Sequence, residues 1–272
     1  MKNRRSFSIP YLVWMVIFII LPIILVVYYA FTNVEGAFTL DNIIKAFGTD
    51  SMIVFGRSVW LAFLATVICL LLGYITAYLL AKMKSVSGAM VSVLFMLPMW
   101  MNFLLRTYAW RTLLDMNGIL NQFITGMGFD AVQFLYTDNA VLFGLVYNFL
   151  PFMILPIYSV FQKMDTSCIQ AAEDLGANKF QTFTKVILPL SRPGVVSGVI
   201  MVFMPAMTTF VISRILGGSN TLYYGDLIEN QFLLISDWHY GSALAIVLMV
   251  LMVVSLWIFK RSDKEGEGAT LI

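Results

Sequence analysis

Charge is what this sequence has least of. Only 12% of its 272 residues are Asp, Glu, Lys or Arg, about half the ~25% usual in soluble domains. That shortage excludes an ordinary water-soluble fold, and no nucleic-acid partner is expected. Histidine and cysteine are nearly missing as well. The single histidine, His239, has no Cys or His cluster to join, so no metal site is expected. Cys69 lies in an apolar run and Cys168 in a polar loop; at such different depths they are not expected to form a disulfide. No Gly-Lys dipeptide occurs, so the chain has no P-loop to hold a nucleotide's phosphates. Catalysis is not expected of this chain, nor a cofactor of its own.

What the sequence has in abundance is apolar length. It is 60% hydrophobic, with a mean hydropathy of +0.86. A helix rises ~1.5 Å per residue and the hydrocarbon of a bilayer is ~30 Å thick, so a span needs ~20 apolar residues. Six segments qualify, roughly 9–31, 58–81, 86–105, 139–160, 193–213 and 240–259. Strands of a barrel would be about half as long and would alternate. The expectation is an all-α, polytopic protein of a bacterial cytoplasmic membrane: one transmembrane domain over 1–272 with six helices in the lipid bilayer. The first segment follows a basic start (Lys2, Arg4, Arg5). Its apolar run exceeds the ~7–15 residues of a signal-peptide core and no small-x-small site follows, so it reads as a retained anchor.

Basic residues set the orientation. With the amino terminus inside, Lys2, Arg4, Arg5, Lys82, Lys84, Lys163, Lys179, Lys185, Arg192, Lys260, Arg261 and Lys264 face the cytoplasm, 12 of the 17. Lys45, Arg57, Arg106, Arg111 and Arg214 fall in or near the outer half. The positive-inside rule therefore places both termini in the cytoplasm. Nine of the 15 acidic residues fall outside, an excess that would attract cations or that simply follows from the exclusion of basic residues from that side.

The same orientation puts a polar interruption, residues 163–192, on the cytoplasmic side. It contains Gln170-Ala171-Ala172-Glu173-Asp174-Leu175-Gly176, then nine residues, then Val186-Ile187-Leu188-Pro189. The alanines favour a thin-faced helix. Thr166 or Ser167 can cap its start, and Gly176 can take the left-handed conformation that ends it. A second short helix is expected from about Lys179 to Ile187, broken by Pro189 and Pro193. Such a helix–turn–helix fits a groove on another protein and leads directly into the fifth span.

This stretch resembles the cytoplasmic signature of ABC-importer permeases: Glu-Ala-Ala, three residues, Gly, nine residues, then Ile-x-Leu-Pro. Gln170 stands in place of the usual Glu and Val186 in place of the usual Ile, while Ala171, Ala172, Gly176, Leu188 and Pro189 hold the expected spacing. The loss of charge at Gln170 can be made good by Glu173 or Asp174. With Asn117-Gly118-Ile119-Leu120-Asn121, Leu150-Pro151-Phe152-Met153 and Ile187-Leu188-Pro189-Leu190, the chain is similar over nearly its whole length to the spermidine/putrescine permeases of the PotB type. The resemblance implies the permease fold of a type I ABC importer, with the loop 163–192 as the dock for an ATPase. It also implies a second six-span permease (PotC-like), two ATPase subunits (PotA-like) that use ATP and Mg, and an external polyamine-binding protein (PotD-like).

Polar breaks mark a candidate path. The third span carries Pro98, Trp100 and Asn102, the fourth Tyr147 and Asn148 before Pro151, and the fifth Pro205 before Thr208 and Phe210. Broken helices with small polar residues are tolerated where they line a cavity or pack on neighbours, and a ring face such as that of Trp100 can meet an amine. Outside, Arg111 to Asn121 reads as helix, Asn-Gly turn and helix, and Gly217-Gly218-Ser219-Asn220 as a second turn. Two other readings stay open: an ABC permease for another solute such as iron or an amino acid, and an ion-coupled secondary transporter. The latter usually has an ionisable residue at mid-membrane, and none is evident here.

Overall fold

An amide buried in hydrocarbon has no water to bond, so an apolar segment of this length closes its hydrogen bonds within a helix. The computed structural model describes residues 9–83, 97, 99–218 and 221–268, and among them the only strand-like pairing is an isolated bridge between Thr32 and Phe38. The helices are α1 (Pro10–Ala30), α2 (Asp41–Ala46), α3 (Thr49–Lys82), α4 (Phe103–Leu114), α5 (Ile119–Gly126), α6 (Asp138–Lys163), α7 (Thr166–Asp174), α8 (Lys179–Leu190), α9 (Arg192–Thr208), α10 (Tyr224–Asn230) and α11 (Trp238–Gly268).

Four of these, α1, α3, α6 and α11, are long and apolar enough to cross a bilayer, and α8 with α9 makes a fifth candidate bent by 61°. The expected third span, 86–105, lies largely outside the described residues, as do Lys2, Arg4, Arg5, Lys84, Pro98, Ser219 and Asn220. Where its end is described, the chain breaks at Met101 and Asn102 and a new helix starts at Phe103.

One expected interruption is absent and another falls later than its proline. Helix α6 runs unbroken through Pro151 and Pro156, while α9 continues through Pro205 to Thr208 and the chain then breaks at Thr209 and Phe210. A proline removes one N–H and crowds one carbonyl, but in hydrocarbon the remaining helical bonds have no aqueous competitor, and packed neighbours compensate for the lost one.

The chain divides into two units, residues 1–56 with 224–253, and residues 57–223 with 254–272. In the first, the Ser51 hydroxyl meets the Tyr240 hydroxyl at 2.6 Å, Lys45 lies 4.1 Å over the Tyr240 ring, and Asn42 donates to the carbonyl oxygens of Ala30 and Thr32. His239 places Nδ1 3.0 Å from the Tyr29 carbonyl oxygen, an anchoring contact at the start of α11.

In the second unit α6 and α9 pack extensively on one another. Gly194 and Gly198 stand four residues apart on α9 and bring the two backbones together, the small-residue device of membrane helix pairs. A Cβ at Gly194 would lie 2.9 Å from the Pro156 carbonyl oxygen and 3.0 Å from Ile157 Cα; one at Gly198 would lie 2.6 Å from Met153 Sδ. Gly194→Val is therefore expected to destabilise the chain by about 1–3 kcal/mol through overpacking. A lower midpoint in thermal unfolding of the detergent-purified chain is the expected result, and an unchanged midpoint counts against this packing.

Candidate functional site

The loop between α6 and α9 is built from local hydrogen bonds. Its first helix, α7, is capped by Asp165, whose side chain accepts from the Ser167 N–H at 2.9 Å. The cap is thus one residue earlier than Thr166 or Ser167, because Thr166 is already helical and a carboxylate is the better acceptor at a helix amino terminus. The Ser167 amide holds the Asp165 carboxyl below its ordinary range. A lowered carboxyl stabilises the cap at all pH above the ordinary value, and the cap is lost only as the pH falls through the lowered one.

Helix α7 ends in a full Schellman motif: Ala177 N–H donates to the Ala172 carbonyl at 3.0 Å, and Gly176 N–H to that of Glu173 at 2.9 Å. Gly176 has φ +84°, with nothing within 4 Å of a Cβ built on it. Glycine is needed there for conformation, not for space. The next helix opens on a capping box, with Asn178 accepting from Gln181 N–H at 2.9 Å and Gln181 accepting from Asn178 N–H at 3.0 Å. Gly176, Ala177, Asn178 and Gln181 are therefore tied to this turn, which fixes the angle between α7 and α8.

Helix α8 does not stop at Ile187. A π-helical turn at Phe183–Ile187, closed by Leu188 N–H to the Phe183 carbonyl, widens the helix just before Pro189 and carries it to Leu190. The wider turn suits a proline, whose nitrogen cannot donate in either register. The break falls instead at Ser191, the one residue between α8 and α9.

The outer face of this loop is apolar at two points. Leu175 is 89% exposed and Phe180 75% exposed, flanked by exposed Gln170, Ala171, Glu173, Asp174 and Gly176, with Leu188 and Pro189 also exposed. Leu175 and Phe180 are absent from the residues singled out in the sequence. The available signal was an apolar residue at a turn position for Leu175, where no helix face can bury it, and an apolar residue in the first turn of a helix for Phe180. Ile169, Glu173, Lys179, Thr182 and Ile187 help line a cavity of about 320 Å³ with Tyr78, Phe161 and Met164.

The path candidates are scattered. Trp100 is 79% exposed. Asn102 caps α4, accepting from Leu104 N–H at 2.8 Å, so its polarity already has a backbone partner. Tyr147 packs edge-on against Trp110, with centroids 5.2 Å apart. Asn148 is buried; its amide donates to the Gly144 carbonyl at 2.9 Å, while its Oδ1 has no protein partner. Thr208 donates back to its own helix, and Phe210 is partly exposed. None of the six lines the cavity of about 10 Å³ bounded by Ser58, Thr209, Ser213 and Tyr223, room for a single water. Arg106, placed near a span end by the sequence, is buried 6.0 Å from the Tyr147 ring centroid, with Nε and Nη1 lacking an acceptor.

Residues 69–265 match the family described as "binding-protein-dependent transport system inner membrane component". The spermidine/putrescine transport system permease protein PotB of Haemophilus influenzae is 38% identical, over 92% of this chain and 91% of its own. Its counterpart in Escherichia coli K12 is 37% identical, over 92% and 94%. A bacterial alginate ABC transporter, solved with an alginate pentasaccharide-bound periplasmic protein, superposes with a TM-score of 0.81 at 15% identity, over 96% of this chain and 93% of that one. At that identity the likeness is one of fold.

Asn178→Ala removes an acceptor at the start of α8, a cost of ~1 kcal/mol. Hydrogen exchange at the Phe180 to Thr182 amides is expected to speed up about fivefold, as such a cost dictates; unchanged exchange would refute the capping role.

Proposed function

The chain belongs to the family of binding-protein-dependent transport system inner membrane components, and from that membership we propose that it forms one half of the membrane channel of a spermidine/putrescine importer. It is a multi-pass permease of the inner membrane, a transport subunit and not an enzyme. The observation that carries the substrate is the 37–38% identity to spermidine/putrescine permeases across more than nine-tenths of this chain.

The α7–α8 loop is the dock for a PotA-like ATPase, which supplies ATP and Mg chemistry from outside this chain. Three features support that role. The turn holds a fixed angle through its Schellman motif and capping box, Leu175 and Phe180 offer apolar anchors, and Glu173 and Asp174 offer charge where Gln170 has none. The loop faces the cytoplasm together with both termini, in keeping with the distribution of Lys and Arg. A PotC-like permease completes the channel and a PotD-like binding protein delivers the polyamine outside. Residues 1–272 act as one permease with six spans. Closure of the ATPase pair draws the loop, and the bent α8–α9 segment passes that displacement into the membrane.

A polyamine is a flexible cation, so ring faces and neutral oxygens suit it better than a rigid ion-pair site. Trp100, Tyr147 and Phe210 supply the rings, and the unpartnered Oδ1 of Asn148 supplies an acceptor. Asn102 and Thr208 serve their own helices and shape the path indirectly.

The test is uptake of labelled spermidine and putrescine by cells lacking this chain and any backup polyamine system. The native chain is expected to restore uptake. Gly176→Asp, which forces a side chain into left-handed backbone at roughly 1–2 kcal/mol and adds a charge to the dock, is expected to insert normally yet lose most uptake. Leu175→Asp is expected to reduce co-purification of the ATPase. No dependence of uptake on the native chain would overturn the polyamine assignment; full uptake by well-inserted Gly176→Asp would overturn the dock. Separately, Trp100→Ala with Tyr147→Ala is expected to raise the half-saturating concentration about tenfold, as loss of ~1.4 kcal/mol of ring contact requires. Native transport kinetics in that double variant would remove both residues from the path.

A further inference from the structure

Resting on the docking role of the α7–α8 loop, we propose that Tyr74 and Phe183 are the positioning residues that make α3 move with that loop. Tyr74 and Tyr78 stand one helical turn apart on α3. Both rings meet Phe183, the first residue of the π-helical turn in α8, at 5.9 and 5.7 Å, and both meet Phe161 near the end of α6, at 5.5 and 5.8 Å. All four pairs are edge-on, the favourable arrangement for aromatic rings. Phe183 is thereby held between two turns of α3.

A second tie lies at the bend. Ser191 is fully buried and gives its one hydroxyl proton to the Leu188 carbonyl at 2.9 Å. Tyr74 must therefore be the donor in its 2.8 Å contact with Ser191 Oγ. A phenylalanine at position 74 would fill the same volume, so packing alone does not call for the hydroxyl. What the hydroxyl adds is a directed bond to the residue where the chain turns 61° between α8 and α9. Helix α8 is thus gripped by α3 at its widened turn and at its pivot. A displacement of the docking loop either carries α3 with it or breaks a ring cluster and a buried hydrogen bond together.

The importer, reconstituted in vesicles with its ATPase, partner permease and binding protein, tests this through transport coupled to hydrolysis. Tyr74→Phe keeps the rings and removes the bond. Complex assembly and hydrolysis without binding protein are expected to be unchanged, while spermidine moved per ATP falls about fivefold, the population shift that accompanies loss of one net hydrogen bond. Ser191→Ala, which also frees the Leu188 carbonyl, is expected to lower the ratio at least as far, and the double variant to fall no further than Ser191→Ala alone, since the Tyr74–Ser191 bond is then already gone. A purely structural role would lower the yield of complex and leave the ratio alone.

A second readout does not depend on the solute. Spin labels on the exposed Cys168 of α7 and on Leu79→Cys of α3 are expected to keep one separation through ATP binding in the otherwise native complex, and to move apart when Phe183→Ala is added. A native ratio in Tyr74→Phe, or labels that separate on ATP binding without Phe183→Ala, would overturn the proposal while leaving the dock in place. Failure of the dock itself is recognised separately, by an ATPase that binds Leu175→Asp as well as the native chain.

Discussion

A polypeptide in hydrocarbon must bond every backbone amide to itself, and the rest of this structure follows from that requirement. It forces helices on the long apolar runs. It also explains why Pro151, Pro156 and Pro205 remain inside helices that would break in water. Helical bonding also passes through π-helical turns, at Val16–Ile20, Phe183–Ile187, Ser213–Gly217 and Gln231–Ile235, which shift the register without abandoning the bonds. Side-chain polarity obeys the same rule. Thr66, Thr76, Asn148 and Thr208 bond carbonyls of their own helices.

The α7–α8 loop is where the requirement relaxes, and its architecture changes accordingly. Its amides are satisfied by caps: Asp165 at the start, the Schellman motif at Gly176, and the Asn178–Gln181 box. Such local closure makes a stiff corner from few residues. The corner presents Leu175 and Phe180 outward while its inner face rests on rings from α3 and α6. A force applied to the exposed side has a short route to the spanning helices, through Phe183 and Ser191. Rigidity at the turn and attachment beneath it are the two properties a docking element needs, and they come from different interactions.

Solute choice has a different origin. The alginate transporter shares this fold, yet what it imports is an acidic polysaccharide. A shared fold thus leaves the choice of cargo to the side chains. The side chains proposed for the path, Trp100, Tyr147 and Phe210, are aromatic and neutral, and one buried guanidinium, Arg106, lies close to Tyr147. A cationic charge beside a ring that would otherwise attract amines opposes tight binding there, which suits a route more than a storage site.

Much of this was legible in the sequence, because it depends on short range. Helical spans follow from run length, the turn at Gly176 from a residue that tolerates positive φ, and the helix–turn–helix after Arg111 from an Asn-Gly pair. Family membership was legible in the spacing of Ala171, Ala172, Gly176, Leu188 and Pro189. Tertiary structure alone decided the rest. Proline composition suggested breaks beside Pro151 and Pro205, yet α6 survives its prolines and α9 gives way only at Thr209 and Phe210, because whether a helix survives its proline depends on the neighbours packed around it. Asn102 looked like a polar orphan in a span until the fold made it a cap. Leu175 and Phe180 became an outward face, and Tyr74, Phe161, Phe183 and Ser191 became one cluster. These groups are up to 117 residues apart in sequence, and no local pattern encodes which apolar side chains will meet. That is settled by how the helices pack, a property of the whole chain.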